Sequence, residues 1–179
     1  MKIGGVLKFS TLDYPGKLSA VIFCQGCPLR CPYCHNAEFQ DILLPGKEKL
    51  DEVFEFLKSR ESLLDAVVIS GGEPLLQHDL MDCILKFKTL GFLIGVHTSG
   101  INPKAFVEIL PIVDWIGFDI KTLFKNYERV TQIPNSGELA QESFNNLVHS
   151  NVNYEIRTTY DARFISADDL YTIAQNLTH

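Results

Sequence analysis

Five short strand-like runs, the first four apolar, each followed by a segment of helical periodicity, constrain the fold of this chain more than any other feature. The runs cover 18–23, 66–69, 92–96, 115–118 and 154–158. The intervening stretches at 50–60, 80–91, 103–110, 138–149 and 167–177 repeat apolar residues every three or four positions, as amphipathic helices do. Leu50, Val53, Phe54 and Leu57 share one face of the first, and Leu80, Cys83, Ile84 and Phe87 share one face of the second. Pro103 suits a first helical turn, and Ser166 suits an N-cap. A polar stretch around Pro134-Asn135-Ser136-Gly137 follows the fourth strand. Strands alternating with helices imply a parallel sheet with crossover connections. The 179 residues fall well short of the about 250 of a closed eightfold barrel. The expected class is therefore α/β: an open, partial (β/α) barrel of parallel strands, about five βα units, in one domain spanning 1–179. A core of this size needs no disulfide staples.

The formal charge is −6, from 16 Lys+Arg against 22 Asp+Glu. An acidic balance argues against sequence-independent nucleic-acid binding, which depends on neutralising phosphates. No apolar run approaches the roughly 20 residues that span a bilayer. Met1-Lys2 is followed by Gly4-Gly5 and Lys8, which leaves no secretory apolar segment. The expectation is a cytoplasmic protein that partners neither nucleic acid nor membrane.

Four of the five cysteines, Cys24, Cys27, Cys31 and Cys34, fall within one short segment, and Cys83 stands apart. In a reducing compartment such clustering points to metal or redox chemistry. Zinc knuckles are separated by about 12–20 residues so that the chain can wrap a tetrahedral ion, a distance this segment lacks. Cys24 ends the apolar run Val21-Ile22-Phe23 and reads as a core residue, or one behind the ligands, rather than a ligand. Cys83 reads as a small core hydrophobe. That leaves Cys27-x3-Cys31-x2-Cys34. Three thiolates can hold three irons of a cubane 4Fe–4S cluster and leave the fourth open, as a reactive metal requires.

The polar residues gather at the ends of the strands. The cysteine loop follows the first, Ser70-Gly71-Gly72-Glu73-Pro74 the second and His97-Thr98-Ser99-Gly100 the third. Asp119 and Lys121 end the fourth, and Arg157-Thr158-Thr159 the fifth. In parallel βα architectures ligands bind at the C-terminal strand ends, so these segments should converge on one face. Each has a plainer reading. Gly71-Gly72 is either a turn or a place of close backbone approach to a ligand, with Glu73 as an acceptor for a cationic amine. Asp119 and Lys121 could be a solvated pair and Arg157 an ordinary ion-pair residue. His97 reads as a hydrogen-bonded structural histidine, and His35 as a neighbour of the ligands or a cap. The Tyr33 ring, between two cysteines, should lie against the cluster or what the cluster binds.

Cys27-x3-Cys31-x-Tyr33-Cys34 followed by Gly71-Gly72-Glu73-Pro74 resembles the radical S-adenosylmethionine superfamily. Ser10-Thr11-Leu12-Asp13-Tyr14-Pro15-Gly16-Lys17, Phe23-Cys24-Gln25-Gly26-Cys27, Asp119-Ile120-Lys121 and Arg157-Thr158-Thr159 extend the resemblance to the activating proteins of anaerobic ribonucleoside-triphosphate reductase. The resemblance implies that Cys27, Cys31 and Cys34 ligate one 4Fe–4S cluster and that S-adenosylmethionine chelates the open iron. It implies further that Gly71, Gly72, Glu73 and Pro74 hold the amino group, that Tyr33 and His35 hold the adenine, and that Thr98, Ser99, Asp119, Lys121 and Arg157 complete the cofactor contacts. The partner it implies is a large glycyl radical enzyme, foremost anaerobic ribonucleotide reductase, with a flavodoxin- or ferredoxin-type electron donor. In that family an Asp usually stands where this chain has His97. Relatives usually carry a sixth strand, whereas this chain ends at His179 after five, as a naturally short or truncated version would. The turn Asp13-Tyr14-Pro15-Gly16 and the segment 124–134 are expected to face the partner. The same chemistry on a small molecule, such as a 7-deazaguanine precursor, is the alternative within the superfamily. A non-catalytic Fe–S electron carrier or zinc protein is the alternative outside it, and the open fourth position speaks against that.

Overall fold

A computed structural model describes residues 1–177; the expectation attached to His179 lies outside them. One six-stranded sheet runs in sequence order through β1 (Ile3–Ser10), β2 (Ser19–Cys24), β3 (Ala66–Gly71), β4 (Leu93–Thr98), β5 (Trp115–Asp119) and β6 (Asn153–Arg157). Strands β2 to β6 are parallel, and they are the five strand runs of the sequence. The strand β1, which the apolar pattern does not reveal, pairs antiparallel to β2 with register shifts on either side of its central stretch. The sheet is thus open, with β1 and β6 as edges. The helices are α1 (Leu50–Lys58), α2 (Leu80–Lys88), α3 (Pro103–Ile109), α4 (Tyr127–Thr131), α5 (Ser136–Val148) and α6 (Ala167–Asn176). Of these only the short α4 lies outside the helical periodicity of the sequence.

Strand alternation assigns the two faces. Ala20, Ile22, Val67, Ile69, Ile94, Val96, Ile116 and Phe118 are buried in one cluster with Val53 and Leu57 of α1, Leu80, Ile84 and Phe87 of α2, Phe106 of α3 and Leu147 of α5. The helices therefore cover this face. Cys24 and Cys83 are both members of this cluster and behave as the small core hydrophobes the sequence suggested. The opposite, concave face carries Val21, Val68, Gly95 and Trp115 in register from strand to strand. The β1–β2 connection fills it, with Tyr14 packed against Val21, Val68 and Trp115.

Helix ends follow local chemistry. Asn102 accepts a hydrogen bond from the Ala105 N–H at 3.3 Å ahead of Pro103. Ser166 and Asp169 form a reciprocal capping box at α6. Among the described residues, no helix is long and apolar enough to cross a membrane.

Phe106 is fully buried and meets Phe118 edge-on, with ring centroids 5.8 Å apart. Phe106→Ala should destabilise the chain by about 3–5 kcal/mol through lost transfer energy and a residual cavity. Chemical denaturation of the purified variant checks this.

Candidate active site

The segment after β2 closes on itself before it can present side chains. Gly26 takes φ +104°, a conformation that favours glycine. Its N–H donates to the Phe39 carbonyl at 2.8 Å, and the Cys27 N–H to the Gln40 carbonyl at 3.0 Å. The Arg30 guanidinium donates to the carbonyls of Cys27 (2.6 Å) and Leu29 (2.9 Å), while its N–H reaches Thr131 at the end of α4. The Cys34 N–H donates to the Cys31 carbonyl at 3.1 Å in a tight turn. Cys27, Leu29 and Cys31 pack on Val130, with Tyr33, Cys34 and Phe164 at the edge. Segment 124–134 therefore does lie beside the cysteine loop.

Burial pushes the Cys27 thiol up to about 12, and the nearby Glu73 carboxylate adds to this. Burial also raises Cys31, against the pull of Lys121. Thiolates here call for a positive group beside them, and three soft sulfur donors fit a metal centre. Among the described residues no three His, Cys, Asp or Glu side chains converge tightly enough to hold one ion. Three thiols of one loop that line the same cavity suit a cluster, in which each sulfur meets its own metal atom.

The Gly-Gly segment is stitched to that loop. The Gly72 N–H donates to the Cys24 carbonyl at 2.8 Å and the Glu73 N–H to the Gly26 carbonyl at 2.9 Å. A Cβ at Gly72 would stand 2.3 Å from the Gly26 oxygen, and one at Gly71, already at φ +98°, 2.5 Å from the Cys24 nitrogen. These glycines are required by contact between two backbone segments. Glu73 is buried and saturated. Its Oε1 accepts from Thr98 Oγ1 (2.5 Å) and the Leu75 N–H (3.1 Å), and its Oε2 from Ser99 Oγ (2.6 Å) and the Ser99 N–H (3.1 Å). The carboxylate read from sequence as a free acceptor for an amine instead binds the β3 loop to the β4 turn.

At the ends of β5 and β6, Lys121 Nζ donates to Asp119 Oδ2 at 2.6 Å. Burial alone would push the Lys121 ammonium down, but Asp119 beside it more than compensates, and it stays charged. Asp119 Oδ1 is buried with no hydrogen-bond partner. Such an oxygen in a cavity wall is an acceptor waiting for a donor. Tyr33 OH donates to the Lys121 carbonyl at 3.4 Å, and its ring meets Phe164 edge-on. His97 and Arg157 stand together, with Arg157 Nη1 3.3 Å from His97 Nδ1 and the guanidinium 5.1 Å from the Trp115 ring centre.

One cavity of about 310 Å³ is lined by Cys27, Cys31 and Cys34, Tyr33 and His35, Gly71 to Glu73, His97 to Ser99, Asp119, Lys121 and Arg157. Every cofactor contact expected from the sequence lines it except Pro74, which is buried behind the turn as the first residue of a short 3₁₀ helix. Gln40 and Gly117 also line it, beyond those the sequence singled out. Gly117 shares the strand parity of Asp119, the one signal that could have found it. The turn Asp13-Tyr14-Pro15-Gly16 is corrected. It enters from the N-terminal end of the parallel strands, because β1 runs antiparallel to β2, and Tyr14 is buried on the concave face.

Because the Gly72 contact is with backbone, Gly72→Ala should displace the cysteine loop and lower both melting temperature and metal loading, whereas a plain exposed turn would tolerate it. His97 is held down to about 4 by burial, with Arg157 reinforcing it, against an ordinary 6.5. Between those values the unfolded chain takes up a proton that the folded chain refuses, so stability falls as pH drops from about 6.5 to 4. His97→Gln should flatten that part of the pH–stability curve in urea titrations.

The radical SAM superfamily profile matches residues 21–162. A Methanocaldococcus jannaschii protein assigned by name to the glycyl-radical enzyme activating enzymes is 34% identical over 98% of this chain and 75% of its own length. A pyruvate formate-lyase-activating enzyme of Listeria monocytogenes is 36% identical over 68% of this chain. The chain spans about half of that relative, 54% of its length. Among solved structures, QueE from Escherichia coli superposes with a TM-score of 0.58 at 17% identity, covering 98% of this chain and 90% of that one. A domain of a pyruvate-formate lyase-activating enzyme from Bacteroides vulgatus gives 0.54 at 19% identity over 62% of this chain and 70% of its own. At such identities these structures speak for the fold alone. With its open parallel sheet, its three-cysteine loop and a profile match over most of its length, this chain belongs to the radical SAM superfamily, in the company of glycyl-radical enzyme activating enzymes.

Proposed function

We propose that this chain cleaves S-adenosylmethionine reductively and uses the product to install a glycyl radical on a large partner enzyme, foremost an anaerobic ribonucleotide reductase. The observation that carries this reading is the cavity that joins the three thiols to Gly71-Gly72-Glu73, Thr98-Ser99, Asp119, Lys121 and Arg157. Cys27, Cys31 and Cys34 would hold a 4Fe–4S cluster through three irons. When bound, that cluster supplies one electron to the sulfonium, giving methionine and a 5′-deoxyadenosyl radical.

The chain's own residues do the positioning. Glu73, through Thr98 and Ser99, fixes the wall against which the methionyl end would lie, and the ammonium would meet backbone oxygens of the Gly-Gly segment. Lys121 and Arg157 are the cations suited to the cofactor's carboxylate. The orphaned Asp119 Oδ1 suits a hydroxyl donor of the ribose. Tyr33, half-buried, and His35, exposed at the rim, would flank the adenine. These residues would hold the cofactor where a backbone glycine of the partner can give up a hydrogen atom to it, with 5′-deoxyadenosine and a glycyl radical as the products. A flavodoxin- or ferredoxin-type protein would deliver the electron.

Anaerobic reconstitution should give about four irons per chain, lost in Cys27→Ala, Cys31→Ala and Cys34→Ala and kept in Cys24→Ala. With reductant, S-adenosylmethionine and an anaerobic ribonucleotide reductase, electron paramagnetic resonance should show a glycyl doublet. Binding of one zinc, or equal iron loss in Cys24→Ala, overturns the cluster assignment. Cofactor cleavage without a glycyl signal on any glycyl radical enzyme overturns the activase reading in favour of a small-molecule substrate.

A further inference from the structure

Beneath the cavity, the β1–β2 connection reaches a side chain in the cavity wall. The Tyr14 ring lies 5.4 Å from that of Trp115, and Trp115 in turn lies 5.3 Å from His97. Two glycines keep this slot open. A Cβ at Gly95 would stand 3.1 Å from Tyr14 Cδ2, and one at Gly117 would stand 2.8 Å from His97 Cδ2 and 2.9 Å from Trp115. The next contact fixes the histidine tautomer. His97 Nε2 lies 2.9 Å from the Asp13 carbonyl oxygen. A carbonyl only accepts, so Nε2 carries the proton and Nδ1 keeps its lone pair. Arg157 Nη1 lies 3.3 Å from Nδ1 and 3.2 Å from Nε2, and with Nε2 donating to Asp13, Nδ1 is the ring nitrogen left to accept from it. The Arg157 Nε is tied to Glu155 Oε1 at 2.8 Å, and the guanidinium lies over Trp115. Arg157 is thus located by three separate groups. The charged groups facing His97 are Arg157 on β6, Asp13 on the connection and Asp119 on β5.

We infer that His97 is a positioning residue: held in one tautomer by the Asp13 carbonyl, it fixes Arg157 at the cavity wall so that the guanidinium meets an oxygen of bound S-adenosylmethionine. The inference rests on the cofactor reading above and adds to it a chain of contacts running from the β1–β2 connection through His97 to Arg157. A protonated imidazole would lose its acceptor and place a second positive charge against Arg157. A carboxylate in its place would hold the guanidinium but could not donate to Asp13.

The test uses oxidised, reconstituted protein, S-adenosylmethionine as probe, and two readouts: affinity by calorimetry and emission of Trp115, the sole tryptophan. His97→Leu should weaken binding about tenfold, the worth of one hydrogen bond to a charged group, with iron content and circular dichroism unchanged. His97→Gln, whose amide offers one donor and one acceptor, should recover most of the loss. Arg157→Gln should weaken binding to a similar degree, and the double variant His97→Leu/Arg157→Gln should be no weaker than Arg157→Gln alone, because one contact chain is broken twice. In cofactor-free protein, His97→Leu should shift Trp115 emission as Arg157 leaves the ring. Additive losses in the double variant, or unchanged emission and affinity in His97→Leu, overturn the inference. Should His97→Leu fail to fold, His97→Ala takes its place with the same expectations, and additive losses of His97→Ala and Arg157→Gln in their double variant overturn it equally. Wild-type protein that loads iron yet binds no S-adenosylmethionine overturns the cofactor reading, and with it the ligand half of this inference. The emission shift still decides the His97–Arg157 contact.

Discussion

The site depends on one buried carboxylate. Glu73 accepts four hydrogen bonds, from Thr98, Leu75 and, twice, Ser99, which fills the acceptor capacity of a carboxylate. A charge taken out of water is tolerated only when so compensated. The compensation comes from two different strand ends, so satisfying Glu73 and aligning β3 with β4 are one event. The backbone of the same turn is bonded to Cys24 and Gly26, which carries the constraint to the cysteine loop. Three segments far apart in sequence are thereby held in a common frame.

That frame explains why the glycines are glycines. Gly71 and Gly72 permit the β3 turn to lie directly against the start of the cysteine loop, with no room for a methyl group. Gly95 and Gly117 do the equivalent on the concave face, where they make space for rings rather than backbone. In both places the missing side chain is a requirement set by the neighbouring segment.

The parallel strands and their helices were legible because burial against helices writes itself into local pattern: Val67-Val68-Ile69 is apolar throughout, and Leu80, Ile84 and Phe87 keep helical period. The gathering of Cys27, Gly72, Asp119 and Arg157 was legible for the same reason, since strand ends define a face. β1 was not. Gly4 and Lys8 interrupt its pattern, and Gly4 is there because the Phe39 ring, from beyond the cysteine loop, occupies the place of its side chain, 2.6 Å from a Cβ. The buried Tyr14 in a segment that reads as an exposed Asp-Tyr-Pro-Gly turn has the same origin, a slot made by Gly95 on another strand. The engagement of Glu73 was hidden because its partners lie 25 and 26 residues on. Local pattern reports what a residue prefers, and these residues answer to distant neighbours.

The Tyr14 connection has a consequence for depth. By occupying the lower half of the concave face it gives the half-barrel a false floor, and the cavity above it, about 310 Å³, is at the small end of ligand pockets of about 300–1,000 Å³. Whatever the cavity holds has the Tyr14–Trp115–His97 stack directly beneath it, so a change in the connection is felt at the cavity's base.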